Sequence, residues 1–239
     1  MAGMETYSSG FAQVYDAIYT RMKNYENEAR QVEAWIRSRH PTARTLLDVA
    51  CGTGEHAKYL KANFHVDGLD LSEEFVEVAR RKNPECEYFC GDMSKFRLNK
   101  SYDVVMSLFS SIGYVRTEAR LRQTIANLGA HLAPGGIVIV EPWLKPEDWK
   151  VGAPRMFTVD EPDFKVCRMN TTSLREGHSC MDFHFLVGTG DGVRHFHEEH
   201  VLGLFTVEQM TEAFRSCGLA VEHDPKGLFG RGLYIGKKI

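Results

Sequence analysis

Long apolar runs are missing from this 239-residue chain. None approaches the roughly 18 residues that cross a bilayer, so no membrane partner is expected. A surplus of positive charge is missing too. The 29 Lys and Arg against 32 Asp and Glu leave a net charge of −3, which gives no electrostatic footprint for nucleic acid. Cysteine is sparse and unpatterned. None of the six forms a Cys-x-x-Cys pair, Cys86 and Cys90 are the nearest two, and no His pair completes a zinc pattern. Free thiols in a reducing cytoplasm are expected. The opening residues, Met1-Ala2-Gly3-Met4-Glu5-Thr6, carry neither the basic nor the apolar region of a secretion signal, in line with a cytoplasmic protein. Internal repeats, low-complexity tracts and long linkers are absent. What is present is 43% hydrophobic residues, enough for the core of one large α/β domain with an insertion.

The most informative stretch is Leu46-Leu47-Asp48-Val49-Ala50-Cys51-Gly52-Thr53-Gly54, an apolar run that ends in an acid and drops into a Gly-x-Gly turn. A second apolar run ends at Gly68-Leu69-Asp70. A parallel α/β sheet builds a nucleoside site in this way, at the carboxyl ends of its first two strands. The glycines let backbone approach a ligand, and Asp70 stands where a carboxylate accepts from two ribose hydroxyls. A dinucleotide fingerprint would want a third glycine where Ala57 stands. Asp48 can orient the glycine loop through backbone N–H groups.

Periodicity predicts helices over Phe11–Met22, Glu26–Arg39, His56–Ala62, Ser72–Lys82, Glu118–Leu132 and Thr206–Cys217. Ser72 and Thr206 serve as N-caps, and Pro134-Gly135-Gly136 stops the fifth helix. Strands are predicted at Thr45–Val49, His65–Leu69, Glu87–Cys90, Asp103–Ser107, Ile137–Glu141, Leu219–His223 and Gly232–Gly236. Between the fifth and sixth of these, Phe164–Leu174, Cys180–Val187 and Arg194–Leu204 read as an antiparallel meander with hairpin turns. It follows the carboxyl edge of the sheet and so can roof the site. His195, His197 and His200 invite a metal reading. His195 and His197 share one strand face while His200 falls on the other, so no metal is expected.

Cys90-Gly91-Asp92-Met93, Tyr102–Ser107 and His131–Glu141 complete a set with the glycine loop that resembles the class I S-adenosylmethionine (SAM) methyltransferases. Phe109-Ser110-Ser111-Ile112-Gly113, Glu141-Pro142-Trp143, Pro146-Glu147-Asp148 and Gly230-Arg231-Gly232-Leu233 narrow the resemblance to the nucleotide-sugar N,N-dimethyltransferases, from about Phe11 to Gly236. These act on TDP-linked amino sugars in the making of antibiotic deoxysugars. The resemblance implies a Rossmann-like fold whose mostly parallel seven-stranded sheet runs in the order 3-2-1-4-5-7-6. It implies one methyltransferase domain over 1–239, with a helical cap at 1–40 and an inserted antiparallel β subdomain at 160–204.

SAM is then the methyl donor, S-adenosyl-L-homocysteine the product, and a small molecule, a TDP-amino sugar, the acceptor. A homodimer is the assembly to consider. Tyr15, Tyr25, Ala50, Gly52, Gly54, Glu55, His56, Asp70, Leu71, Asp92, Met93, Leu108 and Phe109 are the implied cofactor residues. Ser110, Ser111, Tyr114, Trp143, Arg155, Arg168, His184, Arg194, His200 and Arg231 are the implied acceptor residues. Catalytic candidates are Tyr15, Tyr114 and His184. One position departs from the family. Relatives carry a histidine after Phe-Ser-Ser-Ile-Gly where this chain has Tyr114, a phenol too weakly basic to act alone at neutral pH. The amine's proton is left with water, Tyr114 or His184 as destinations. Two other readings stay open: methylation of another small amine or hydroxyl acceptor, and a non-catalytic SAM-binding protein.

Overall fold

Five apolar runs become the parallel strands of the central sheet. In the computed structural model, which describes residues 11–238, the chain opens with helices α1 (Phe11–Met22) and α2 (Tyr25–Arg39). Alternating units follow: β1 (Thr45–Val49), α3 (Ala57–Leu60), β2 (His65–Asp70), α4 (Glu73–Lys82), β3 (Glu87–Cys90), β4 (Tyr102–Ser107), α5 (Glu118–Ala130) and β5 (Leu132–Val140). A second sheet comes next, β6 (Gly152–Asp160), β7 (Lys165–Arg175), β8 (His178–Thr189) and β9 (Gly192–Gly203). Helix α6 (Val207–Arg215), β10 (Leu219–Asp224) and β11 (Leu233–Lys238) return to the first sheet. Residues 1–10, which include part of the expected cap and the opening read for a secretion signal, lie outside the described residues.

The first sheet runs β3-β2-β1-β4-β5-β11-β10, the expected order, with β11 antiparallel to both neighbours. Strands covered on both faces read as continuous apolar runs, and Leu46, Leu47 and Val49 are fully buried. Ser72 and Thr206 cap their helices as expected, Thr206 in a reciprocal capping box with Gln209. Helix α5 ends at Ala130, before Pro134-Gly135-Gly136. His131 fixes that end: its Nδ1–H donates to the Asn127 carbonyl at 2.8 Å and its Nε2 accepts from the Leu98 N–H at 3.1 Å. The chain enters β5 at once.

The second sheet has four strands where the sequence showed three, and it begins at Gly152 rather than near residue 160. Strand β6 opens Gly-Ala-Pro and pairs irregularly with β7 between Gly152 and Arg155, as an edge strand tolerates. Its alternation is too short to register. Between β7 and β8 the turn residues Glu176 and Gly177 both have positive φ, 51° and 77°, the requirement of a tight two-residue hairpin. The inner face of this sheet lies on α1 and on Phe75 of α4, with Phe11 and Phe185 edge to face at 4.9 Å. α1 is thus held between the second sheet and α4.

Candidate active site

Asp48, at the carboxyl end of β1, is 1% exposed, and its Oδ2 has no hydrogen-bond partner among the described residues. Burial, reinforced by the neighbouring Asp70 carboxyl, pushes its pKa up to about 7. It lines an open cleft together with Tyr15, Tyr25, Ala50, Cys51, Gly52, Thr53, Glu55, His56, Leu108, Phe109 and Ser111. Folding takes up a proton at Asp48 between about pH 4, where the unfolded carboxyl titrates, and the folded value near 7. Stability falls as pH rises through that window. Asp48→Asn is therefore expected to match the parent at pH 4 and to exceed it above pH 7, by up to about 4 kcal/mol. Chemical denaturation of both proteins across that range checks this, and identical pH profiles would refute it.

Backbone geometry concentrates at the same edge. Outside glycine, positive φ occurs at Ala50, Phe109 and Ser110 around the cleft, an arrangement that tertiary contacts must enforce. Glu141, buried at the end of β5, accepts from the Phe109 N–H at 2.7 Å, and the Ser110 hydroxyl donates to the Pro142 carbonyl at 2.7 Å. Gly54 has φ +77°, and a Cβ there would sit 2.8 Å from the Tyr88 Oη and 2.9 Å from the Asn83 Nδ2. The N–H of Gly52 donates to Asp70 Oδ2 at 2.8 Å, while Ser72 donates its N–H to Oδ1 at 2.9 Å. Asp70 thereby ties the glycine loop to the start of α4, and burial raises its pKa.

Aromatic side chains from the cap close the cleft. Tyr15 packs on Tyr19 at 4.4 Å and on Phe75 at 5.0 Å, and burial drives its phenol pKa well above the usual value, so it stays neutral. Tyr25 stands edge to face on His56 at 4.9 Å. The His56 Nε2 meets Glu28 Oε2 at 2.9 Å, and burial lowers the His56 pKa. Lys82 gathers Asp16, Glu55 and Thr53, which ties α1, the glycine loop and α4 together.

Eight of the anticipated cofactor residues line the cleft: Tyr15, Tyr25, Ala50, Gly52, Glu55, His56, Leu108 and Phe109. Gly54 supports the loop from behind, against Tyr88 and Asn83. Asp70, Leu71, Asp92 and Met93 follow along the ends of β2 and β3, outside the cleft itself. Although burial opposes it, the N–H and hydroxyl of Ser94, with Arg120, hold the Asp92 carboxyl below its ordinary range.

The acceptor candidates divide by strand face. Ser110, Trp143 and Arg231 come together, for Arg231 Nη1 donates to the Ser110 hydroxyl and its guanidinium lies 5.3 Å from the Trp143 ring. Ser111 lines the cleft. Arg168 is buried on the inner face of the second sheet, beside Tyr19, Phe157 and Phe183. Tyr114 reaches His200, its Oη 2.5 Å from Nδ1, and His200 Nε2 meets Glu198 Oε2 at 3.2 Å. Gly113 permits that approach, since a Cβ there would fall 2.9 Å from Leu202 and 3.1 Å from Trp143. His184 does not join them. Alternation along β8 puts Phe183 and Phe185 inward and His184 outward, half exposed, so its assignment as a proton acceptor is corrected. Arg155 and Arg194 are also exposed, Arg155 at the edge strand and Arg194 toward the Thr189–Gly192 hairpin.

Three participants escaped the sequence reading. Glu198 sits two residues before His200 on the same strand face, a spacing that alternation could have disclosed. Glu141 was read only as part of a family motif. Lys23 is buried, 2.9 Å from Glu28 and 3.7 Å from the Phe109 ring centroid, with its pKa lowered by burial against the pull of Glu28. No local pattern marks it.

The cleft suits a cationic nucleoside such as SAM. The Asp48 oxygen left without a partner among the described residues, Tyr15, Tyr25 and the glycine loop all line it. The general methyltransferase-domain family matches residues 46–136. The dTDP-3-amino-3,6-dideoxy-α-D-glucopyranose N,N-dimethyltransferase of Streptomyces fradiae is 40% identical over 96% of this chain and 91% of its own length. The dTDP-3-amino-3,4,6-trideoxy-α-D-glucopyranose N,N-dimethyltransferase of Streptomyces venezuelae is 41% identical over 96% and 98%. Among solved structures, Streptomyces venezuelae DesVI superimposes with a TM-score of 0.91 at 39% identity, covering 98% of this chain and 100% of its own. A SAM-bound amino pentose methyltransferase from Micromonospora echinaspora gives 0.85 at 33%, covering 98% of each. The glycine loop, the acid-lined strand ends and the roofing second sheet are thus those of a known group, and the chain belongs to the family of SAM-dependent methyltransferases that includes the dTDP-amino-sugar N,N-dimethyltransferases.

Proposed function

We propose that this enzyme N-methylates the amine of a nucleotide-linked amino sugar, a dTDP-amino-deoxysugar in the first instance. The observation that carries the reading is a second set of buried polar atoms left without partners, on the inner face of the second sheet. Arg168 Nε and Glu198 Oε1 have none among the described residues. Buried polar groups are normally satisfied, and a polar acceptor entering beside Tyr19 and His200 would satisfy these two. The relatives named above act on dTDP-amino sugars, which supports the same acceptor class here.

Bound SAM would supply an electrophilic methyl: the amine nitrogen would gain a C–N bond as the C–S bond breaks, and S-adenosyl-L-homocysteine would leave with the electron pair. The chain's own residues then have four tasks. Asp70 holds the ribose hydroxyls and Asp92 the adenine amine. Tyr15 and Tyr25 set aromatic faces beside the positive sulfur, where neutral phenols favour a cation. Arg231, whose planar fork matches phosphate oxygens, takes the nucleotide's diphosphate over Trp143. Tyr114 accepts a proton from the acceptor ammonium while its own passes to His200 Nδ1, and Glu198 stabilises the imidazolium formed. The amine is thereby neutral when its lone pair meets the methyl. Six free cysteines, and the absence of any long apolar helix among the described residues, support a cytoplasmic setting.

The test is a mass-spectrometric screen of dTDP-amino sugars with SAM. Addition of one or two methyl groups to at least one of them is the expected result. Turnover confined to simpler amines or alcohols would replace the amino-sugar reading with a broader one, and SAM binding without any turnover would point to a non-catalytic protein.

A further inference from the structure

On the outer face of the second sheet, away from the cleft, lies a cluster that methyl transfer does not use. Asp182 and His184 project from the same side of β8, two residues apart. His197 of β9 stands directly opposite His184 in the strand register. One ligand atom from each of the three lies within 4.8 Å of those of the other two. Both imidazoles present Nε2 to the same carboxylate, His197 at 2.5 Å from Oδ1 and His184 at 3.5 Å from Oδ2. The other ring nitrogen of His184, Nδ1, is 3.0 Å from His195 Nε2. His195 thus fixes the orientation of the His184 ring from behind, as a partner on the far nitrogen does for a metal-ligating histidine.

From this geometry we infer that Asp182, His184 and His197 form a surface site for a borderline divalent transition-metal ion of the zinc type. Two imidazoles and one carboxylate are the donor set that Zn²⁺, Ni²⁺ and Cu²⁺ favour, whereas Mg²⁺ and Ca²⁺ want oxygen alone. Donor atoms around a tetrahedral zinc stand about 3.3 Å apart, so small side-chain rotations close the present spacing. Exposure of the cluster leaves the remaining position to water. Glu199, opposite Asp182, is engaged by Arg175 and is not part of the set. The two strands are adjacent in an antiparallel sheet, so the ion would clip β8 to β9 and stabilise the roof of the active site. The sequence pattern suggested no metal because His195, His197 and His200 do not share a face. The ligands instead come from two strands, and of those three histidines only His197 contributes directly.

The experiment is isothermal titration of the full, tag-free chain with Zn²⁺, alongside Asp182→Asn, His197→Ala and the control His65→Ala, an exposed histidine elsewhere. The expected result is one saturable site per chain, with at least a tenfold loss of affinity in each cluster variant and none in the control. At a hundredfold excess over the dissociation constant, the melting temperature should rise by roughly 5–10 °C in the parent only. Co²⁺ should report the imidazole ligands by its visible spectrum. Absence of saturable binding, or binding that His197→Ala leaves intact, would overturn the inference. Neither variant touches the cleft, so the outcome is independent of the acceptor assignment.

Discussion

Asp70→Ala is expected to weaken SAM binding by at least a hundredfold while the protein remains folded. Both carboxylate oxygens already hold the backbone, Oδ2 at Gly52 and Oδ1 at Ser72. Each keeps a second lone pair, which the ribose hydroxyls of a bound nucleoside can use. Hydrogen bonds to a charged group contribute about 1.5–3 kcal/mol each, so losing two amounts to about 3 kcal/mol or more. At about 1.4 kcal/mol per decade that is roughly two powers of ten. A further loss comes from the glycine loop, whose positive-φ conformation at Gly52 is held in part through Asp70. Asp70→Asn keeps one acceptor oxygen and should fall between. Calorimetric titration with SAM, with circular dichroism as the folding control, reads the effect. Parent-like affinity in a folded Asp70→Ala protein would remove Asp70 from the ribose site.

Much of the fold is legible in the chain because its elements are set locally. Thr45–Val49 is a short apolar run between turn residues, Ser72 precedes two acids and a helical stripe, and Thr206 is followed three residues later by Gln209. Each signal lies within one turn or one strand. What escaped depends on partners distant in sequence. Strand β6 has weak alternation and becomes a strand because β7 offers an edge to pair with. Lys23 is an ordinary interhelical lysine until Phe109 and Phe229 cover it. The cleft followed the same division. Gly52 and Asp70 announce themselves by motif, whereas alternation could sort the meander's residues into two faces but not say which face turns inward or which residues meet across strands. The strand register sends His184 outward to Asp182 and His197, and His200 inward to Tyr114.

Tyr114→Phe and His200→Gln should each lower kcat by roughly 10–100-fold while leaving SAM affinity unchanged. Tyr114 alone is a poor base, and it stands where the resemblance led one to expect a histidine. The structure supplies an imidazole from elsewhere. His200 approaches from β9, with Nδ1 placed to accept from the Tyr114 hydroxyl and Nε2–H directed at Glu198. All the parts are on rigid elements: Tyr114 on the short helix of residues 111–115, pressed against Leu202 through Gly113, and His200 edge to face with Phe183 at 5.1 Å. A positioned proton acceptor contributes about 10²–10⁴ in rate, and a loss at or below the bottom of that range is expected because water remains as a fallback. Gln at position 200 can still accept from the Tyr114 hydroxyl but cannot carry a proton, so it separates chemistry from packing. A purely structural role would leave the pH dependence of kcat/KM unchanged in His200→Gln; a relay would alter it. His200→Ala should regain part of its activity on addition of imidazole, because the buried space beside Glu198 would admit the free base. Steady-state kinetics over a pH series, with the dTDP-amino sugar identified by the screen, provides the measurement. Parent-like kcat and an unaltered pH profile in His200→Gln would exclude the relay and leave the amine to lose its proton directly to water.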